Sequence, residues 1–304
     1  MRIAVIGRTG QLARALGERA GSGGHGVEAV GRPALDLANA DDAGVLAALG
    51  ASFGGHGPQA IINAAAYTAV DRAETEPANA FAINAGGAGA VARAARALAV
   101  PMVQISTDYV FAGDQADVYA EHHATAPVNV YGASKLAGEA AVLAAGADAA
   151  IVRTGWLYSP FGSNFATTML RLAATAGTVR VVDDQHGCPT SALDLADVVI
   201  AVAVHLAENP APELRGVFHA AGGGEASRAE FASAIFAAAR AAGGPSARVA
   251  PISSADFPTA ARRPAQSRLD CGRLAAVHGL HLPHWRDSCG GIVARLVREA
   301  GGGR

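Results

Sequence analysis

The sequence predicts a doubly wound α/β fold, a parallel Rossmann-type sheet joined to a smaller C-terminal substrate-binding lobe. Three observations carry this. Short apolar runs alternate with Ala-rich helical stretches from the first residue to about 220. The runs are apolar throughout instead of at every second position, as expected of strands covered on both faces. The first run stops at a glycine turn that leads into a helical pattern, Gly7-Arg8-Thr9-Gly10-Gln11-Leu12-Ala13.

Taken in order, the strand Arg2 to Ile6 is apolar up to Gly7, and a helix over 11–20 follows the turn. Val27 to Val30 runs into Gly31-Arg32 and precedes a helix over 41–49. Ala60 to Asn63 precedes a long helical stretch, 78–99. Met102 to Ser106 and Ala150 to Thr154 flank a helix over 131–144. Val179 to Val182 lies between helices over 164–176 and 192–207, and Val217 to Ala220 precedes the helix 227–242. Strict alternation of this kind argues a parallel sheet with helices on both faces. Beyond it Pro251, Pro258, Pro264 and Pro283 interrupt the pattern, so irregular structure is expected before a final helix near 287–299. Residues 1–155 are expected to form a dinucleotide-binding core to which 181–217 return, with 156–180 and 218–304 making the smaller lobe.

Composition narrows the function. The 304 residues are 51% hydrophobic and 16% charged, which is a folding composition. The 24 basic and 26 acidic residues nearly cancel and no polybasic run occurs, so neither nucleic acid nor an anionic membrane is an expected partner. Cys188, Cys271 and Cys289 are odd in number and never form C-x-x-C, which argues against a disulfide framework and for a reducing cytoplasm. No stretch reaches the roughly 18 apolar residues of a membrane helix. Among the basic residues Lys occurs once, at Lys135; every other one is Arg. Either chance left a stray lysine, or that position needs an ammonium.

The glycine turn lets the backbone approach a pyrophosphate, while the helix after it offers free N–H groups and a positive dipole end. At the end of the second strand an acid would grip an adenosine ribose; here Arg32 stands instead, which favours a 2′-phosphate or is a solvated loop cation. Small residues in Asn63-Ala64-Ala65-Ala66-Tyr67-Thr68 leave room for a ligand across the sheet, although packing alone also explains them. After the fourth strand comes Ser106-Thr107-Asp108-Tyr109-Val110-Phe111, and later Tyr131-Gly132-Ala133-Ser134-Lys135. Tyr131 and Lys135 share one helix face. A neighbouring ammonium is expected to lower the phenol toward working range, with Thr107 sharing the substrate oxygen.

These residues, with Arg153-Thr-Gly-Trp156, Asn164-Phe165, Asp184-Gln-His-Gly-Cys-Pro-Thr190 and Arg262-Arg-Pro264 plus Ser267, resemble the dTDP-4-dehydrorhamnose reductase family. That family is a branch of the extended short-chain dehydrogenase/reductases, and the resemblance runs to about residue 270. It implies an oxidoreductase of dTDP-rhamnose biosynthesis that takes its hydride from reduced nicotinamide, and Arg32 favours NADPH over NADH. The C4 keto group of dTDP-4-dehydro-6-deoxy-L-mannose would be reduced to give dTDP-L-rhamnose, a precursor of cell-surface polysaccharide. Tyr131 would protonate the alkoxide, Lys135 would bind the nicotinamide ribose, and Thr107 would hold the carbonyl.

By the same resemblance Gly7, Gly10, Gln11 and Leu12 would contact the cofactor. Arg32, Asp36 and Leu37 would follow at its adenosine end, and Ala64, Ala65 and Tyr67 along the sheet. Asp108 and Trp156 would hold the sugar; Asn164 and Arg263 would serve the diphosphate, Arg263 being equally readable as a surface charge. Relatives that dimerise around magnesium use a glutamate in the first helix, where this chain reads Ala13-Arg14-Ala15, so no metal is expected and a monomer or homodimer stays open. His186, His219, His278, His281 and His284 read as core or surface histidines. Two rivals remain: a reductase or epimerase acting on another nucleotide-linked sugar, and a non-catalytic, NADP-binding regulatory subunit of the same fold.

Overall fold

Along β1 (Arg2–Ile6), Ile3 and Val5 enter one core while Ala4 and Ile6 enter another, and all four are essentially inaccessible. Two-sided burial is why the run carries no polar alternation. The computed structural model describes residues 1–301. After β1 come α1 (Gln11–Ser22), β2 (Gly26–Val30), α2 (Asp42–Phe53) and β3 (Ala60–Asn63). The short helices α3 (Val70–Ala73) and α4 (Pro77–Phe81) lead through a π-helical turn, 82–87, into α5 (Ala88–Ala97). Then follow β4 (Met102–Thr107), α6 (Val130–Ala144), β5 (Ala149–Thr154), β6 (Leu157–Tyr158), α7 (Phe165–Ala173), β7 (Thr178–Val182), β8 (His186–Gly187) and β9 (Thr190–Ser191). The chain closes with α8 (Ala192–Glu208), β10 (Gly216–His219), β11 (Ala226–Ser227), α9 (Arg228–Ala241), β12 (Arg248–Ile252), α10 (Gly272–His278) and α11 (Trp285–Gly301).

The main sheet is parallel, in the order β10-β5-β4-β3-β1-β2. Helices α1 and α8 bury Leu12, Leu16, Leu195 and Val199 on one face; α2 and α5 bury Val45, Leu49 and Val91 on the other. The order turns back at β1, from which the chain goes to β2 on one side and β3 on the other. Ligands of open α/β sheets lie outside the strand ends at such a switch point.

The structure departs from the expected elements in four places. The segment Val179–Val182 is a strand, but β7 pairs in parallel with β12, a strand the sequence reading did not contain, and not with the main sheet. Pro251 lies inside β12 and hid it, yet this two-stranded edge tolerates a residue without an N–H. Expected boundaries at 180/181 and 217/218 fall inside β7 and β10, and α10 returns Leu274 to the main core. The stretch 78–99 is broken by the π turn, where Gly138 of α6 comes so close that a Cβ would stand 2.1 Å from the Asn84 carbonyl oxygen. A separate core in the smaller lobe gathers Trp156, Tyr158, Phe231, Phe236, Trp285 and Ile292.

Candidate active site

A cavity of about 740 Å³ opens at the switch point. Gly7 adopts φ +117°, a left-handed conformation that side chains resist, and a Cβ there would press on the Ala65 backbone nitrogen at 3.3 Å. The turn therefore leaves the tips of β1 and β3 clear. Helix α1 begins at Gly10 with no side chain bonded to its first amides, so the positive end of its dipole faces the cavity uncapped. A pyrophosphate fits this cradle. Gly7, Gly10, Gln11 and Leu12 line it, with Arg32, Asp36 and Leu37 at the β2 end and Ala64 and Ala65 along β3. Arg8 lines the same end and donates to the Arg32 carbonyl at 3.4 Å. It was passed over in the sequence although it sits inside the quoted turn.

Helix α6 is set by local chemistry at its start. Asn129 caps it, its side chain accepting from Gly132 N at 2.7 Å and donating to the Arg262 carbonyl at 2.8 Å, while Glu74 accepts from Val130 N. Gly132 is required by close approach, because a Cβ would lie 2.1 Å from the Tyr109 carbonyl oxygen. This contact brings Tyr131 against the loop after β4, with its ring edge-on to Tyr109 at 5.9 Å. Tyr131, Lys135 and Thr107 all line the cavity.

The electrostatics differ from expectation in one respect. Burial pushes the Tyr131 phenol up, Asp108 and Tyr109 push it further, and a hydrogen bond with Thr107 pulls it down; Lys135 is not among the groups acting on it. The Lys135 ammonium instead donates to the Ile105 carbonyl at 2.6 Å, and burial lowers it to about 8 against the opposing pull of Glu139. The expected depression of the phenol is therefore absent. A raised phenol stays protonated at neutral pH, which is the form a proton donor needs.

Below the pair, Glu139 and Arg153 form a buried ion pair with contacts of 2.9 and 2.7 Å, and Ser106 donates to Glu139 at 2.5 Å. These bonds tie α6 to β4 and β5, and so Lys135 to Thr107. Ser106→Ala is expected to lower unfolding free energy by about 1.5–3 kcal/mol, the range for a hydrogen bond to a charged group. Denaturant titration measures it; an unchanged midpoint would show that Ser106 does not help hold the helix.

At the other end, Asp108 is 2% exposed and its carboxyl is raised to about 6 by burial, against the neighbouring Ser267 and Thr107 hydroxyls and the Arg228 cation. Thr107 donates to one carboxyl oxygen at 3.0 Å. Trp156 holds φ +48°, an uncommon conformation for a bulky residue. Its indole donates to Ser267 at 3.1 Å and its ring lines the cavity. Three expected contacts are not in the wall. Tyr67 hydrogen-bonds Glu76 at 2.7 Å. The Asn164 carboxamide caps α7 and donates to Ser159. Arg263 pairs with Asp71 at 2.8 Å. Each polar group is consumed by a local partner. Arg228 does line the cavity, and no motif marked it; only the fold brings the start of α9 over Trp156.

A glycine turn at the switch point, faced by a Tyr–Lys pair and a strand-end threonine, defines a Rossmann-type oxidoreductase. The chain belongs to the family described as RmlD substrate binding domain, whose model matches residues 1–298. It is 44% identical over 299 residues to the dTDP-4-dehydrorhamnose reductase of Sinorhizobium fredii (strain NBRC 101917 / NGR234), covering 98% of this chain and 99% of the relative. A crystal structure of dTDP-4-dehydrorhamnose reductase from Bacillus anthracis str. Ames in complex with NADP matches with TM-score 0.86 at 36% identity, over 96% of this chain and 98% of that one. A protein of Streptomyces antibioticus, named "Probable dTDP-4,6-dihydroxy-2-methyloxan-3-one 4-ketoreductase", is 38% identical over 95% of this chain and 93% of its own length.

Proposed function

We propose that this chain reduces the C4 keto group of dTDP-4-dehydro-6-deoxy-L-mannose to give dTDP-L-rhamnose, with NADPH or NADH as reductant. The observation that carries the reading is the group of Tyr131, Lys135 and Thr107 facing the glycine turn in one cavity, in a chain 44% identical to a named reductase. When bound, the reduced nicotinamide supplies the hydride for the carbonyl carbon. Thr107, releasing Asp108, would donate its one hydroxyl proton to the carbonyl oxygen, and Tyr131 would pass its phenolic proton to that oxygen as the C–O π pair localises there. Lys135, whose ammonium donates to the Ile105 carbonyl in the structure, would hold the nicotinamide ribose hydroxyls of the bound cofactor. The phenolate left on Tyr131 is reprotonated from water after product leaves. Asp108 and Trp156 bound the sugar.

The cofactor preference is expected to be modest. Arg8 and Arg32 favour a 2′-phosphate, while Asp36 at the same end disfavours it and suits a free ribose hydroxyl. All three act in or near solvent, where one ion contact is worth about 0.2–1 kcal/mol. Arg32→Ala should therefore lower kcat/KM for NADPH by about 1.5- to 5-fold and leave that for NADH unchanged. Equal effects on both would make Arg32 a bystander.

A second reading is favoured by the Streptomyces antibioticus relative: a 4-ketoreductase acting on a different dTDP-linked sugar. The test is turnover with a panel of dTDP-linked 4-keto sugars, followed at the nicotinamide absorbance. The first reading requires the highest kcat/KM for the 4-dehydro-6-deoxy-L-mannose compound, and a clear preference for another sugar would replace it. The described helices include none long and apolar enough to cross a membrane. With all three cysteines free, a cytoplasmic enzyme is the reading adopted, as a monomer or homodimer.

A further inference from the structure

Arg228 is the first residue of α9, set by the capping box of Ser227 and Glu230. Its guanidinium lies flat on the Trp156 ring, 3.4 Å from the centroid, with Phe165 at 5.5 Å on the same cation. It stands beside the Tyr109 hydroxyl and the Asp108 carboxyl. Among the described residues, the other arginines buried in the site region have carboxylates of their own: Arg153 has Glu139, Arg263 has Asp71, and Arg268 has Glu225. Among the described residues no ion pair includes Arg228, and it lines the cavity. A desolvated guanidinium without a carboxylate is costly. The one acid near it, Asp108, is raised by burial only to about 6, so at neutral pH it is mainly ionised and offsets part of the Arg228 charge through space. The cavity wall therefore carries a guanidinium held by stacking on Trp156, with no carboxylate at ion-pair distance.

From this placement we infer that Arg228 binds the diphosphate of the sugar nucleotide and so selects a charged, nucleotide-linked sugar over a free one. This rests on the proposed function above. Stacking on Trp156 fixes the guanidinium plane, leaving its edge to meet two phosphate oxygens at once. The cofactor's pyrophosphate has its own cradle at Gly7 and Gly10. The same indole that bounds the sugar thus orients the group that holds its phosphates, coupling ring placement to anchorage.

The experiment compares Arg228→Met, which keeps an unbranched chain over Trp156, with Arg228→Lys and the parent protein. Each is measured for steady-state KM and kcat toward the keto sugar nucleotide, for NADPH affinity, and for calorimetric binding of thymidine diphosphate against thymidine. Arg228→Met should raise KM and the thymidine diphosphate Kd by about 10- to 100-fold, with kcat and NADPH affinity nearly unchanged and thymidine affinity unaffected. Arg228→Lys should recover part of the loss, and its behaviour decides the matter if the Met variant does not fold. An unchanged thymidine diphosphate Kd, or an equal loss of NADPH affinity, would overturn the assignment while leaving turnover by the parent intact. If the parent binds NADPH but no nucleoside diphosphate, the functional reading falls and this assignment falls with it.

Discussion

Tyr131→Phe is expected to bind cofactor almost normally and to lose about 10²- to 10⁴-fold in kcat, the usual worth of a positioned proton donor. The ring makes an edge contact with Tyr109 and lies half-buried beside Asp108 and Thr107, so Phe keeps its packing. Only the proton is removed. Because burial holds the phenol high, the parent enzyme should show no loss of kcat from Tyr131 ionisation between neutral pH and about 9. Single-turnover rates at several pH values measure both. A Phe variant within about threefold of the parent would remove Tyr131 from the mechanism.

The second large effect is expected at Lys135. An ammonium can reach between two vicinal hydroxyls, whereas a guanidinium is broader and planar. Lys135 is 3% exposed and bonded to the Ile105 carbonyl, so there is little room for the larger group. Lys135→Arg should lower kcat/KM for the cofactor by about 10²-fold or more, two charge-assisted hydrogen bonds being worth about 1.5–3 kcal/mol each. The pH dependence follows from the lowered ammonium. It is charged below about 8 and neutral above, so kcat/KM for NADPH in the parent should fall as pH rises through that value. Lys135 is also the sole side-chain amine, so a small amine reagent should inactivate in step with its labelling, and saturating NADPH should protect. Ordinary activity in Lys135→Arg would make the solitary lysine an accident of composition.

The sequence made the main sheet legible because strands buried on both faces leave an unmistakable apolar run, as in Arg2–Ile6 and Ala149–Thr154. The smaller lobe was less legible. Its strand β12 contains Pro251 and is mostly half-buried or exposed, and β7 looks the same whichever partner it takes. Within the site, spacing was enough for Tyr131 and Lys135, since one helix carries both. It was not enough for Asn164 and Arg263, whose polar groups are taken by a helix cap and by Asp71. Nor did it reveal Arg228, whose relation to Trp156 exists only once α9 is folded over the Arg153–Trp156 turn. The direction of the Tyr131 shift was misread for a related reason: helical spacing brings a lysine near but does not say where its ammonium points.

The most direct test of the central claim uses NADPH carrying deuterium at the transferable position, with the dTDP-linked 4-keto-6-deoxy sugar, and locates the label in the product by NMR. The account predicts one deuterium at C4 of a dTDP-linked 6-deoxy sugar, formed by the parent and lost in step with turnover in Tyr131→Phe and Lys135→Arg. Deuterium at another carbon, or no transfer by a folded, NADPH-binding protein, would contradict it.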